Sequence, residues 1–180
     1  LLLRDFIPSL QVTEFVQLYR IVHLVFEAGQ VMPFKAYPPR PEHCLAFYPF
    51  DTEKVQYTSS GKTIEHLPVV LYGQQLEVTN RFIGNHFLVF QIIFQPGALY
   101  RLTGMPSSEL TNEYIDGESV FSSDLRLVNE QLFHAKNYEV MIDIAEQFVL
   151  QLMKTQKKSF HLLDEACKLL LTAEGNRSVD

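Results

Sequence analysis

The chain has no tryptophan and only two cysteines in 180 residues. Cys44 and Cys167 lie far apart, on segments of different character. A disulfide scaffold is therefore not expected, and a thiolate metal site would lack partners. The expectation is a reducing, cytoplasmic setting. Long hydrophobic runs are also missing. Even Phe87 to Phe94, apolar but for Gln91, has only the length of a strand, well short of the roughly 18 apolar residues that a membrane span needs, so no membrane contact is expected. Leu1-Leu2-Leu3 is too short for a signal-peptide core and has no basic lead-in. Positive charge is scarce as well. Fifteen Lys and Arg against 21 Asp and Glu give a net charge of −6. That balance argues against a nucleic-acid surface within these residues, because phosphate contacts need clustered Lys and Arg.

Chemistry-bearing motifs are absent too. His23, His43, His66, His86, His134 and His161 form no His-x-His or Glu-x-x-His pair, so the ligand sets that metals require are missing and no metal or other cofactor is expected. No Gly-x-Ser-x-Gly elbow occurs. His43 and Cys44 are adjacent, and neighbours on a strand point to opposite faces, so they make no thiolate–imidazole couple. No catalytic residue is assigned, and the chain is not expected to be an enzyme.

What is present is the composition of a folded domain: 47% hydrophobic and 20% charged residues. The first part reads as strands. In Phe15–Phe26, Val16, Leu18, Val22, Leu24 and Phe26 share one face, interrupted by Arg20, while Tyr19, Ile21, His23 and Val25 share the other. Pro33, Pro38, Pro39 and Pro41 then mark an extended connection or an edge. Cys44–Phe50, Lys54–Tyr57, Leu67–Leu76, Glu77–Ile83 and His86–Gln95 are further strands. Ser59-Ser60-Gly61-Lys62 signals a hairpin turn, and Gly84-Asn85 suggests a two-residue type II′ hairpin.

At Gln95-Pro96-Gly97 the pattern changes. Proline cannot continue a ladder, and glycine permits a turn that other residues resist. Leu99 and Leu102, with Tyr100, then anchor a short helix that Gly104-Met105-Pro106 stops. Helical spacing follows in Phe121, Leu125, Val128 and Leu132, and again in Val140, Ile144, Phe148 and Leu152, flanked by Met141, Ala145 and Val149. Leu163, Ala166, Cys167 and Leu170 mark a third helix. Asn137 and Ser159 are the expected N-caps, and Gly175 the expected residue just beyond the last helix. Strands first and helices second imply α+β.

The segment "FQPGALYRLTGMPSSELTNEYIDGESVF" resembles the regulatory N-terminal region of a group of bacterial AraC-family transcriptional regulators. The matching residues are Phe94, Pro96, Gly97, Leu102, Gly104, Leu110 and Asn112. "PFKAYPPRPEHCLAFYP" and "GQQLEVTNRF" are similar to that group too, and "AEGNRSVD" resembles the lead into an AraC-type DNA-binding domain, with Ser178 as N-cap. The resemblance implies an N-terminal antiparallel cupin-like β-barrel or sandwich over residues 1–97. A C-terminal helical bundle would follow over 98–175 for dimerisation or linkage. Residues 176–180 would lead into a helix-turn-helix domain not contained in this sequence, through which alone DNA would be contacted. The implied function is effector sensing, dimerisation or both, and the implied partners are a small-molecule effector and a second copy of the chain. Polar residues on apolar strands are the candidate ligand contacts: Arg81 first, for bidentate binding of a carboxylate, then Tyr19, His23, Arg40, Tyr48, Tyr72 and Gln91. The alternative is a cupin-like small-molecule-binding protein or enzyme.

Overall fold

A computed structural model describes residues 2–27, 29–30, 34–65, 67–121, 124–159 and 161–172. Among the described residues ten strands form two antiparallel sheets. The strands are β1 (Leu2–Phe6), β2 (Val16–Val25), β3 (Lys35–Tyr37), β4 (Cys44–Phe47), β5 (Glu53–Tyr57), β6 (Thr63–Glu65), β7 (Val69–Tyr72), β8 (Thr79–Ile83), β9 (His86–Phe94) and β10 (Tyr114–Asp116). The larger sheet runs β1-β2-β9-β4-β7-β10 and the smaller β3-β8-β5-β6. The sheets stay separate, each with its own edge strands, and no closed barrel forms among the described residues. The helices are α1 (Ala98–Thr103), α2 (Gly117–Val120), α3 (Asp124–Phe133), α4 (Tyr138–Lys154) and α5 (Leu162–Thr172). The chain is thus α+β, with its helices in the second half. His66, Gly175, Ser178 and the lead-in at 176–180 lie outside the described residues.

Both faces of the larger sheet are buried. Period-2 alternation sends Tyr19, Ile21, Leu45, Phe47, Leu88 and Phe90 to one side, where they share a core with Leu125, Leu132, Ala145 and Phe148 of α3 and α4. The other side carries Cys44, Ala46, Tyr48, Val70, Tyr72, Phe87 and Val89. Tyr48 and Tyr72 on that side reach Glu53 and Arg81 of the smaller sheet, directly or through ring contact. The register shifts between Val16 and Leu18 against β9. This bulge turns Val16 into the helix-side core rather than onto the face of Leu18, where simple alternation placed it.

Several local expectations meet the structure directly. Gly97 has φ 76° and opens α1, and Gly104, at φ 77°, closes it with its N–H donating to the Tyr100 carbonyl. Ala98, Leu99 and Leu102 are buried; Tyr100 is not an anchor, being 39% exposed. Arg101 takes the fourth inward position and pairs with Glu14. The Asn137 side chain accepts from Val140 N–H and caps α4. The buried stripe of α4 is Met141, Ala145, Phe148 and Val149, and Val140 is turned outward.

Two expectations are corrected. Gly84-Asn85 is not a hairpin turn: β8 pairs with β3 and β5, whereas β9 pairs with β2 and β4, so the chain crosses between sheets here. Gly84 lacks the positive φ a type II′ turn needs. What it supplies is clearance, since a Cβ there would strike the Asp51 carboxylate, which accepts from His86 N–H. Nor does Ser159 cap α5. The helix starts at Leu162, and its entry is fixed by Asp164, which accepts from His161 N–H, and by the His161 ring, which accepts from Leu163 N–H.

Candidate functional site

A polar layer lies between the two sheets. Pairing of β5 with β8 sets Val55 opposite Arg81 and Glu53 opposite Ile83, which leaves Glu53 and Arg81 as diagonal neighbours on the inward face. Arg81 Nη1 donates to Glu53 Oε1 at 2.7 Å, with both side chains at least nine-tenths buried. The Tyr48 hydroxyl, from the larger sheet, donates to the same oxygen at 2.7 Å. The guanidinium lies 4.0 Å from the Tyr37 ring centroid and 5.8 Å from that of Tyr72. Arg81 Nη2 stands 3.5 Å from the Tyr114 hydroxyl. Farther along, Gln91 Nε2 donates to the Tyr72 hydroxyl at 2.7 Å, and the Tyr57 hydroxyl donates to the Asn112 carbonyl at 2.6 Å.

Burial raises the pKa of the Tyr48 and Tyr72 hydroxyls, and the negative charge of Glu53 adds to the effect at Tyr48. Burial likewise pushes the Cys44 thiol up, so it offers no thiolate for nucleophilic work. For Arg81, burial acts to lower the pKa; the adjacent Glu53 carboxylate and the ring of tyrosines more than offset it, and the guanidinium stays charged. The layer thus combines a buried ion pair with neutral hydroxyl donors. Two of its buried polar atoms, Arg81 Nε and Gln91 Oε1, have no hydrogen-bond partner. Such a layer can bind and orient a polar molecule; it holds no acid–base pair of separated strengths.

Of the residues singled out in the sequence, the structure brings Arg81, Tyr48, Tyr72 and Gln91 together here. Arg40 sits at the rim, exposed, 5.3 Å from the Tyr37 ring centroid and 3.6 Å from Glu42. Glu42 also accepts from the buried Arg20, which binds Asp5 as well. Tyr19 and His23 point to the opposite face. Tyr19 is buried in the core shared with the helices, 5.7 Å from the Phe90 ring. His23 Nδ1 lies 2.9 Å from the Tyr138 hydroxyl at the start of α4, and its Nε2 lies 3.3 Å from His86 Nε2. Burial, then the neighbouring His86, lowers the His23 pKa.

Glu53, Tyr37, Tyr57 and Tyr114 belong to the layer and were not among the sequence candidates. The signal for two of them was available, because Glu53, Val55 and Tyr57 alternate with Lys54 and Gln56 as an inward face should. Tyr37 and Tyr114 sit on three-residue edge strands whose pairing is set by distant segments. Among the described residues no three of His, Cys, Asp or Glu gather in a way that could hold a metal ion. No helix is long and apolar enough to cross a membrane. A concavity of about 560 Å³ lies between α3 and α4, with Leu127, Val140, Ile144 and Phe148 in its wall and Asp124 and Asp143 among its polar residues.

A family model described as a domain of unknown function (DUF6597) matches residues 4–116. That stretch contains every strand from β2 to β10 and both sides of the polar layer. The chain belongs to this family. No curated protein matches it.

Proposed function

We propose that this member of the DUF6597 family is the regulatory part of an AraC-like DNA-binding transcriptional regulator, serving effector sensing, dimerisation or both. Its helix-turn-helix domain would lie outside these 180 residues. One observation carries the reading: the larger sheet is a wall shared by two unlike layers. Inward, Tyr48, Tyr72 and Gln91 face the Arg81–Glu53 pair. Outward, the intervening Phe47 meets Phe148 of α4 at a centroid distance of 6.3 Å. A molecule held between the sheets would act on β4 and β9, and through them on the helices. It shifts the balance between two arrangements only by binding them with different affinity. The polar layer between the sheets would then be where the effector is held.

The dimerisation half of the reading draws on exposed apolar residues of the helices. Leu127 and Val140 flank the α3–α4 groove, and Leu162, Leu163 and Leu170 stand exposed on α5. A two-fold dimer would suit paired DNA half-sites. The polar layer would serve a stand-alone cupin-like binding protein equally well, and DNA binding separates the two. The test is operator affinity of the full-length protein, with and without whatever small molecule native mass spectrometry finds retained on it. A ligand-dependent change is expected; affinity that ignores every retained ligand sinks the sensing half. Sedimentation of the same protein tests the other half, with a dimer expected and a monomer, free and on DNA, contradicting it.

A further inference from the structure

We infer that the inter-sheet layer takes a small carboxylate carrying a hydrogen-bond donor, with the carboxylate held side-on by Nε and Nη2 of Arg81. This rests on the effector-sensing reading above. The argument is one of edges. A guanidinium is a flat fork with five N–H donors and two faces. The guanidinium carbon of Arg81 lies over the Tyr37 ring at 4.0 Å and over the Tyr72 ring at 5.8 Å. Nη1 is committed to Glu53 at 2.7 Å. The edge formed by Nε and Nη2 is what remains. Nε has no partner, and Nη2 has only the Tyr114 hydroxyl at 3.5 Å, beyond the usual range of an N–H···O bond. That edge presents two parallel N–H groups, the geometry that matches the two oxygens of a carboxylate.

The second unpaired atom specifies the rest of the ligand. Gln91 Oε1 is a buried acceptor without a donor, and the same amide's Nε2 is fixed on the Tyr72 hydroxyl at 2.7 Å. Tyr72 therefore joins the two orphans: its ring lies by Arg81 and its hydroxyl is held by Gln91. A molecule reaching along Tyr72 satisfies both atoms only if it carries an oxyanion at one end and a hydroxyl or amine donor at the other. Small hydroxy- or amino-carboxylates have that form. Access is from the sheet edges, where Tyr37 and Tyr114 are only partly buried on the three-residue strands β3 and β10.

The probe pair is lactate and its uncharged isostere lactamide, added to the ¹⁵N-labelled chain. The readout is the side-chain Nε–H signal of Arg81, identified by its loss in Arg81→Lys. Lactate should move the signal saturably, with affinity on the order of millimolar for so small a probe, and lactamide should leave it in place. Arg81→Lys keeps the charge but loses the fork, and should weaken lactate by roughly tenfold or more, read on the remaining amide signals. Tyr114→Phe keeps the ring and frees Nη2, and should tighten lactate by about two- to fivefold. Arg126→Gln, exposed on α3 and paired there with Glu118, should change nothing. Equal shifts from lactate and lactamide overturn the carboxylate assignment and leave sensing of an uncharged effector standing. No saturable shift from lactate overturns it as well. A retained ligand that is uncharged but still alters operator affinity would do the same while upholding the sensing reading.

Discussion

The two faces of the larger sheet solve the same burial problem by different means. On the helix side, Ile21, Leu45, Phe47, Leu71, Phe90 and Ile92 are fully buried against apolar helix residues, and close packing is the main source of stability. On the inter-sheet side, burial extends to Arg81, Glu53, Gln91 and Thr79. There Arg81 depends on Glu53 and Gln91 on the Tyr72 hydroxyl. A packed apolar face tolerates change in proportion to volume; a buried ionic face tolerates it only when charges change in pairs. A buried ion pair is weak evidence of stability, since well-packed apolar residues of similar volume often serve as well.

Single substitutions separate the faces. Phe90→Ala, on the helix side, should cost about 3–5 kcal/mol, the usual range for a buried aromatic, read as a lowered urea midpoint. Glu53→Ala, on the other side, removes few atoms but strands Arg81, and should cost roughly 3 kcal/mol. The combined replacement Glu53→Leu with Arg81→Met should recover most of that loss, because no buried charge is left alone. If the double change is as damaging as Glu53→Ala, the comparison of the two faces is wrong. Asn137→Ala should cost about 1 kcal/mol through the lost cap on α4.

A smaller effect distinguishes the helix side by pH. In the fold, burial and His86 hold the His23 pKa below its ordinary 6.5. As pH falls through the unfolded value, the unfolded chain takes the proton first, so stability is level above that value and declines below it. His23→Gln should flatten part of the decline in urea midpoints measured across this range. His43, whose pKa burial also lowers, should supply a remaining slope of the same sign. At the lower end, Arg126→Ala removes an exposed ion pair with Glu118 and should change stability by less than about 0.5 kcal/mol.

The features legible in the sequence were those encoded within a few residues. Pro96-Gly97 stops a strand and starts a helix because ring geometry and a left-handed glycine act locally. The Asn137 cap and the stripes of α3 and α4 are local in the same sense. What stayed hidden depends on partners far along the chain. β10 is three residues long and exists because Tyr72, Leu71 and Val70 pair with it. Gly84-Asn85 has the composition of a tight hairpin, yet the strands on either side belong to different sheets. β1 gave no sequence signal either; it is defined by its register with β2.

The candidate site divides in the same way. Alternation within β2 correctly separates Tyr19 and His23 from Arg20, but it cannot say which face looks toward Arg81. That choice is made by the register of β2 against β9 and of β9 against β4, which aligns Arg20 with Gln91 and Gln91 with Ala46. Tyr48, Tyr72 and Gln91 therefore join Arg81, and Tyr19 and His23 do not.

The layer around Arg81 and the helices on the far side of the larger sheet should respond together. The direct measurement is the ¹H–¹⁵N spectrum of Arg81→Lys against the unmodified chain, under conditions where both are folded. Arg81 belongs to the smaller sheet and touches no helix in any described contact. Amide signals should shift at Phe47 and, beyond it, at Phe148 and Val149 of α4. Changes confined to β5, β8 and the inward residues of the larger sheet, with α4 unmoved, would contradict it.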